Sequence, residues 1–195
     1  MSGITEVHQK SIAESKYIKL NNVEFMENGI KRSWDYVTSM DSVSAFVYDK
    51  INREFIIIRQ FRPPLRFGAS ELTMQSTSID TLGYCYELCA GLMDVENRSK
   101  EQAVVDEIRE ELGNVGMTGS RGYLFYVEVT PEQKKYPGGG LQSEGEQIEI
   151  VHLKEKDVDS FLMDGTKEKS AGLFVAFYWW KNLRAKCSVY SQTLC

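Results

Sequence analysis

Residues 91–113 read Gly-Leu-Met-Asp-Val-Glu-Asn-Arg-Ser-Lys-Glu-Gln-Ala-Val-Val-Asp-Glu-Ile-Arg-Glu-Glu-Leu-Gly. Their second half has the start and stop signals of a single helix. Ser99 is a good N-cap residue, and Gln102 completes a capping box that satisfies the first backbone N–H groups. Gly113 supplies the left-handed residue at which such a helix ends. Apolar residues recur at i, i+4 and i+8 and predict a buried face: Val104, Ile108 and Leu112.

A second face of the same helix concentrates negative charge. Glu107, Glu110 and Glu111 lie at i, i+3 and i+4, and Asp106 adds a fourth acid. Like charges at this spacing repel by roughly a few tenths of a kcal/mol per pair. The face is either a solvated acidic surface or a site for a divalent cation, since cations such as Mg²⁺ prefer carboxylate oxygens. The glycine turn before the helix and the Glu-Glu-x-Gly ending favour the cation.

This segment resembles the signature of the Nudix hydrolase family. Residues 107–113 match the Glu-U-x-Glu-Glu-x-Gly part of that signature, where U is an aliphatic residue. Three departures are visible: Asp106 stands where the family has Arg, the preceding spacing is one residue longer, and the isolated Glu is not matched, although Glu96 lies nearby. A looser box of this kind is typical of the UDP-sugar pyrophosphatase branch.

The resemblance implies a fold and a metal cofactor. The fold is α+β, an α/β/α sandwich in which a mixed sheet lies between helices and follows an N-terminal antiparallel hairpin arm. The cofactor is Mg²⁺, with Mn²⁺ as a substitute. The resemblance assigns four ligands to the metal, three carboxylates and one backbone carbonyl: Glu107, Glu110, Glu111 and Ala90.

For the chemical step, the resemblance implies Glu110 and a glutamate from the loop that begins with Pro137-Gly-Gly-Gly140. Glu146 matches best, while Glu144 and Glu149 compete for the same role. A glycine run of this kind is equally typical of a plain mobile linker. Relatives also insert a loop and a strand between Gly113 and the Thr-Gly-Ser sequence, and this chain lacks them.

Bulk composition limits the classes of function. The chain has 195 residues, 42% of them hydrophobic and 26% charged, which suits a single globular domain. We expect that domain over 17–185, with a disordered segment 1–16 and a tail 186–195. A net charge of -5 argues against nucleic-acid binding. No apolar run is long enough for a membrane span, and four cysteines without a Cys-x-x-Cys pair indicate reduced thiols in a cytoplasmic protein.

Residues 17–38 predict the hairpin arm, because Asn28-Gly29 is a strong turn signal between two alternating runs. Trp34 on the return strand is most often a packing residue. The resemblance offers another role, in which Trp34 and Arg32 contact the nucleobase of a substrate and the arm lies across a second subunit of a homodimer.

A second hairpin is predicted at 42–47 and 54–59, and it leads into Gln-Phe-Arg-Pro. The arginine of this motif, Arg62, is either a surface charge or, as the resemblance implies, a ligand of the diphosphate. Residues 64–82 predict a long loop. Residues 84–90 predict one short strand, on which Glu87 supports the metal or the substrate.

Strands are further predicted at 122–130 and 147–153, and helices at 156–163 and 171–184. Three functions remain open at this level. The first is Mg²⁺-dependent hydrolysis of a nucleoside diphosphate sugar of the UDP-glucose type to a nucleoside monophosphate and a sugar 1-phosphate. The others are an ADP-ribose or ADP-sugar pyrophosphatase and a catalytically impaired nucleotide-binding protein.

Overall fold

The computed structural model describes residue 4 and residues 6–68, 82–92, 120, 122–135, 137–140 and 147–191. The strands within these residues form two sheets, one with two strands and one with six. The strands are β1 (Ile18–Glu27), β2 (Ile30–Ser39), β3 (Ser42–Asp49), β4 (Glu54–Phe61), β5 (Tyr84–Glu87), β6 (Cys89–Leu92), β7 (Gly122–Val129) and β8 (Ile148–Lys154). The α-helices are α1 (Pro63–Phe67), α2 (Val158–Met163) and α3 (Ala171–Ser191).

The two-stranded sheet is the predicted hairpin arm. β1 and β2 pair along ten residues each, and the turn between them has φ of 52° at Asn28 and 80° at Gly29. Both angles are positive, as a type I′ turn requires, so Asn-Gly sets the register of the whole arm. The arm leaves large apolar side chains in solvent, with Leu20 81% exposed.

The six-stranded sheet is built around a fork between β3 and β4. These two strands pair directly only next to their turn, from Val47↔Ile56 to Asp49↔Glu54. Beyond that point β5 runs antiparallel to β4 and β6 runs antiparallel to β3. Since β3 and β4 are themselves antiparallel, the chain must reverse direction between β5 and β6. The reversal falls at Leu88, which is only 3% exposed.

This reversal corrects the prediction of a single strand over 84–90. The residues are extended on both sides of Leu88, but they pair with different strands. The outer edges of the fork are also paired. β7 runs parallel to β3, and β8 runs antiparallel to β4, so the sheet is mixed, as predicted.

Side-chain alternation gives the sheet two distinct faces. Phe46, Phe55 and Ile57 lie on the face that α3 covers, here named the helix-covered face. Phe177 of α3 packs edge-on against Phe46 and Phe55, with ring centroids 5.0 and 4.9 Å apart. The other face, here named the second face, carries Ile58, Gln60 and Glu87, because these residues alternate with the core residues of β4 and β5.

Two further elements differ from the sequence-based expectations. α1 occupies Pro63–Phe67, the start of the predicted loop 64–82, because two prolines at the first helical positions fix the backbone for one helical turn. α3 continues to Ser191, beyond the predicted end at 184 and into the predicted tail 186–195. The predicted helix of 99–112 lies outside the described residues. Among the helices that are described, none has both the length and the apolar character needed to cross a membrane.

A buried carboxylate joins β4 to β8 near the turn of the fork. Glu54 accepts hydrogen bonds from His152 Nδ1 at 2.7 Å and from Lys154 Nζ at 2.6 Å. Burial raises the pKa of Glu54, but hydrogen bonds from Lys154 and His152 outweigh burial, so the net pKa lies below the ordinary value of 4.5. Glu54 therefore stabilises the folded state above about pH 4.5, and this contribution is lost as the pH falls through its lowered pKa.

We expect Glu54→Gln to lower the unfolding free energy at pH 7 by about 1–3 kcal/mol, because it removes the charge that two donors share. The difference between wild type and variant should shrink as the pH falls below about 4.5. Urea unfolding between pH 7 and pH 3 measures both values. A difference that stays constant over this range would show that the ionised carboxylate is not the source of the stability.

Leu88→Ala should cost about 2–5 kcal/mol of unfolding free energy, because it opens a cavity where the chain reverses inside the fork. Leu20→Ala is the matched control: the same substitution on the exposed arm should change stability by no more than about 0.5 kcal/mol. Denaturant unfolding of both variants tests the comparison. Equal effects would refute the interpretation of Leu88 as the residue that fills the fork.

Candidate active site

Arg62 follows the last residue of β4, and its backbone is held on both sides. Its N–H donates to the carbonyl of Gly83 at 2.7 Å, and its carbonyl accepts from the N–H of Leu65 at 3.0 Å. Gly83 has a φ of +92°, and a Cβ atom there would come within 2.5 Å of the Phe61 ring. Only glycine fits this close approach without displacement, so the turn that accepts the Arg62 N–H depends on Gly83.

The guanidinium of Arg62 binds Glu87 on the neighbouring strand. Arg62 Nε donates to Glu87 Oε1 at 2.9 Å, and Arg62 Nη2 donates to Glu87 Oε2 at 2.6 Å. Gln60 Nε2 also donates to Glu87 Oε2, at 3.0 Å. The structure thus brings together two of the predicted site residues, Arg62 and Glu87. It adds Gln60, which the sequence analysis missed.

The strand register explains why these three side chains meet. Ile58 pairs with Glu87, and Gln60 pairs with Cys85, so all four side chains lie on the second face. Arg62 continues the same alternation beyond the end of β4. The spacing i, i+2 between Gln60 and Arg62 was a usable signal in the sequence, but their partner could be identified only once β5 was paired with β4.

Cys85 lies beside this group and stays neutral. Burial, followed by the nearby charge of Glu87, raises the pKa of the Cys85 thiol to about 12. A buried thiol with so high a pKa is a poor nucleophile at neutral pH. Cys85 therefore serves as packing beneath Glu87 rather than as a reactive group.

A separate polar cluster occupies the helix-covered face at the same end of β4. The guanidinium of Arg59 lies 4.4 Å from the centroid of the Tyr84 ring and forms an ion pair with Glu149 at 2.9 Å. Arg59 and Glu149 are direct partners in the pairing of β4 with β8. Glu149, one of three acids considered for the chemical step, is thus on the opposite face of the sheet from Glu87. Its competitors Glu144 and Glu146 lie outside the described residues.

Three glycines lead into the segment that contains Glu144 and Glu146. Gly138, Gly139 and Gly140 all have positive φ, between 75° and 110°. The carbonyl of Gly139 accepts a hydrogen bond from the N–H of Ile148 at 3.0 Å. This bond joins the residues before and after 141–146, so the two ends of that segment are held close together at the start of β8.

Trp34 and Arg32 lie on the hairpin arm and not on the main sheet. The guanidinium of Arg32 is 5.9 Å from the Trp34 ring centroid and 5.7 Å from the Phe25 ring centroid, and it forms an ion pair with Glu27. Trp34 is 47% exposed. The arm therefore presents an aromatic ring and a cation side by side, while Arg62 and Glu87 belong to a different sheet.

The predicted metal ligands fall mostly outside the described residues. Ala90 is in β6 opposite Ser44, at the point where the strand leads into residues 91–113. Glu107, Glu110 and Glu111 lie outside the described residues, as does Asp106. Within the described part of the chain, no group of three or more His, Cys, Asp or Glu side chains could hold a metal ion. Three carboxylates and a carbonyl are oxygen donors, a set that suits Mg²⁺.

Comparisons with known proteins bear on the family and the fold of the chain. No protein-family model matches the chain. Two relatives, the uridine diphosphate glucose pyrophosphatases NUDT14 of Mus musculus and Bos taurus, are each 32% identical over 198 residues, which covers 86% of this chain and 89% of the relative. A solved ADP compounds hydrolase has a TM-score of 0.50 at 15% identity, covering 89% of this chain and 92% of that chain, and it supports the fold. The identity to the two relatives over most of both lengths shows that the chain belongs to the Nudix hydrolase family.

Proposed function

We propose that this protein hydrolyses the diphosphate bond of a nucleoside diphosphate sugar of the UDP-glucose type. The products are a nucleoside monophosphate and a sugar 1-phosphate. One observation carries the proposal: the chain is 32% identical, over 86% of its length, to relatives named uridine diphosphate glucose pyrophosphatase. The half-exposed Arg62 at the end of β4 supports it, because a guanidinium held on a rigid strand end suits the oxygens of a diphosphate.

The proposed cofactor is Mg²⁺, with Mn²⁺ as a substitute. Glu107, Glu110, Glu111 and the carbonyl of Ala90 would hold it. Their oxygen donors and the helical spacing of the three glutamates support this assignment. When bound, a divalent ion stabilises negative charge on the diphosphate and lowers the pKa of a coordinated water.

The chain's own residues then have distinct tasks. Arg62 binds and orients the diphosphate, so that the phosphorus faces the attacking water. Glu146 accepts the proton of that water or orients it, and Glu110 is the second acid assigned to the chemical step. The position of Glu149 on the other face of the sheet, paired with Arg59, favours Glu146 and Glu144 over Glu149.

The hairpin arm has the features expected of a segment that packs on a second subunit and contacts the substrate there. A two-stranded hairpin is marginally stable alone, and this one exposes apolar side chains that would gain from burial. We propose that the arm packs on a second copy of the chain in a homodimer. Trp34, with Arg32 beside it, would then stack on the nucleobase of the substrate. The single domain over 17–185 and a cytoplasmic location are part of the same proposal.

The first test is a product assay of the purified full chain with Mg²⁺ over UDP-glucose, other nucleotide sugars and ADP-ribose. We expect UDP-glucose to give UMP and glucose 1-phosphate, and chelation of the metal to abolish the reaction. Glu111→Gln should lower kcat by at least roughly 100-fold, because it removes a ligand carboxylate. Glu128→Gln, an exposed change on β7, is the matched control and should leave the rate unchanged.

The other outcomes of this assay separate the competing functions. Preference for ADP-ribose over UDP-glucose would identify the second pyrophosphatase activity instead. Binding of UDP-glucose in calorimetry without any product would identify a catalytically impaired binding protein, which the departure at Asp106 makes worth measuring. A rate that chelation does not change would refute the metal assignment.

A second test addresses the arm. Trp34→Ala should raise KM for UDP-glucose about 10-fold, since base stacking on an aromatic ring is worth about 1–3 kcal/mol. The effect on kcat should be smaller, and Trp34→Phe should recover most of the loss because it keeps a ring. Sedimentation of each variant shows whether the dimer persists. An unchanged KM in a dimeric Trp34→Ala variant would exclude Trp34 from the substrate site.

A further inference from the structure

We propose that Glu87 is a positioning residue, which together with Gln60 fixes the orientation of the Arg62 guanidinium and touches neither metal nor substrate. The inference rests on the proposed function, since Arg62 is the group that would meet the diphosphate. It assigns Glu87 a different task from the direct metal or substrate contact expected from the sequence, and it adds Gln60 to the machinery.

The two partners differ in burial. The Glu87 side chain is 13% exposed, whereas the Arg62 side chain is 46% exposed. In this ion pair the buried carboxylate of Glu87 supports the half-exposed guanidinium of Arg62. The guanidinium is therefore the group presented to solvent. A ligand approaching from solvent would meet Arg62 before it met Glu87.

Both oxygens of Glu87 already accept hydrogen bonds, from Gln60 in β4 and from Arg62 after its end. Oε1 accepts from Arg62 Nε, and Oε2 accepts from Gln60 Nε2 and from Arg62 Nη2. A divalent ion on Glu87 would lie beside the guanidinium of Arg62, which already binds both carboxylate oxygens. Repulsion between the two cations at this mostly buried carboxylate opposes metal binding there. The observed geometry thus favours a partner of Arg62 over a ligand of the metal.

The benefit of this arrangement is entropic. A free arginine side chain loses rotamer entropy when it is fixed. The bidentate contact with Glu87 fixes the plane of the guanidinium before substrate binds. The backbone hydrogen bonds to Gly83 and Leu65 fix the main chain of Arg62. The neutral thiol of Cys85 adds no competing negative charge beside Glu87. Most of the ordering of Arg62 is therefore complete in the free protein.

A double-mutant cycle tests the inference with the full-length protein, UDP-glucose and saturating Mg²⁺. Arg62→Ala should lower kcat/KM about 100-fold, and Glu87→Gln about 10-fold, as expected for lost and misplaced substrate contacts. Because Glu87 acts through Arg62, the double variant should be no worse than Arg62→Ala alone. Two binding measurements accompany the kinetics: the Kd for UDP by calorimetry, and the Kd for Mn²⁺ without nucleotide by electron paramagnetic resonance. Glu87→Gln should weaken UDP binding and leave Mn²⁺ binding unchanged.

The chain offers a matched control at the other end of β4. Glu155 is 18% exposed and accepts a bidentate contact from Arg53, with distances of 3.2 Å to Nε and 3.1 Å to Nη2. Glu155→Gln therefore breaks an equivalent ion pair far along the strand from Arg62, and it should change kcat/KM by less than about 2-fold. Glu87→Asp is the second test variant. It keeps the charge but shortens the side chain, and its defect should likewise vanish in the Arg62→Ala background.

Three results would overturn the inference. One is a multiplicative loss in the double variant, which would give Glu87 a role independent of Arg62. The second is weaker Mn²⁺ binding by Glu87→Gln, which would make Glu87 a metal ligand. The third is an equal kinetic loss in Glu155→Gln, which would reduce the effect to general destabilisation. Failure of the proposed function has a different signature, because the wild-type protein would then neither bind UDP nor turn over UDP-glucose.

Discussion

β3 and β4 separate after three residue pairs, and the chain from Tyr84 to Leu92 fills the gap between them. Buried backbone groups need hydrogen-bond partners, and the segment that enters the fork supplies them to both separated strands. The segment that enters must reverse direction at the apex, and the side chain at the reversal must be apolar. Leu88 meets both conditions, and it joins the same cluster as Phe46 and Ile57.

The fork also determines where polar groups collect. Because β5 pairs with β4 on one side of the fork, Glu87 lies next to the strand whose end carries Gln60 and Arg62. Because β6 pairs with β3 on the other side of the fork, the chain runs from Leu88 through Ala90 into the acidic segment 91–113. The short stretch from Glu87 to Ala90 therefore contacts the proposed phosphate-binding group, Arg62, and leads into the proposed metal-binding segment. Loss of packing at Leu88 would disturb both.

Local signals in the sequence were sufficient for several elements and insufficient for others. The Asn28-Gly29 turn predicted the arm and its register, because a type I′ turn leaves no choice of pairing. The reversal at Leu88 could not be predicted, since a run of alternating residues looks the same whether it pairs with one strand or two. α3 extends beyond its predicted end because no glycine or proline follows Gly172 to stop it.

The site shows the same division between local and long-range information. Arg62 was recognised from its motif, and Glu87 from its place before the acidic segment. Their contact depends on a pairing of residues 25 positions apart in the chain, which spacing alone cannot reveal. Gln60 was missed for that reason, and Glu149 was kept as a candidate acid because the face of β8 on which it lies depends on its register with Arg59.

Charge balance connects the ion pair to the cofactor. The positive charge of Arg62 is largely matched by Glu87, so in the proposed reaction Arg62 would orient a diphosphate better than it would neutralise one. Residues 106–111 carry four carboxylates, and within these six residues only Arg109 is positively charged. A diphosphate brought near these acids would be repelled unless cations come with it. In the proposed reaction the charge that neutralises the diphosphate must therefore come mainly from bound divalent ions. The buried carboxylate of Glu87 fixes the orientation of the Arg62 guanidinium.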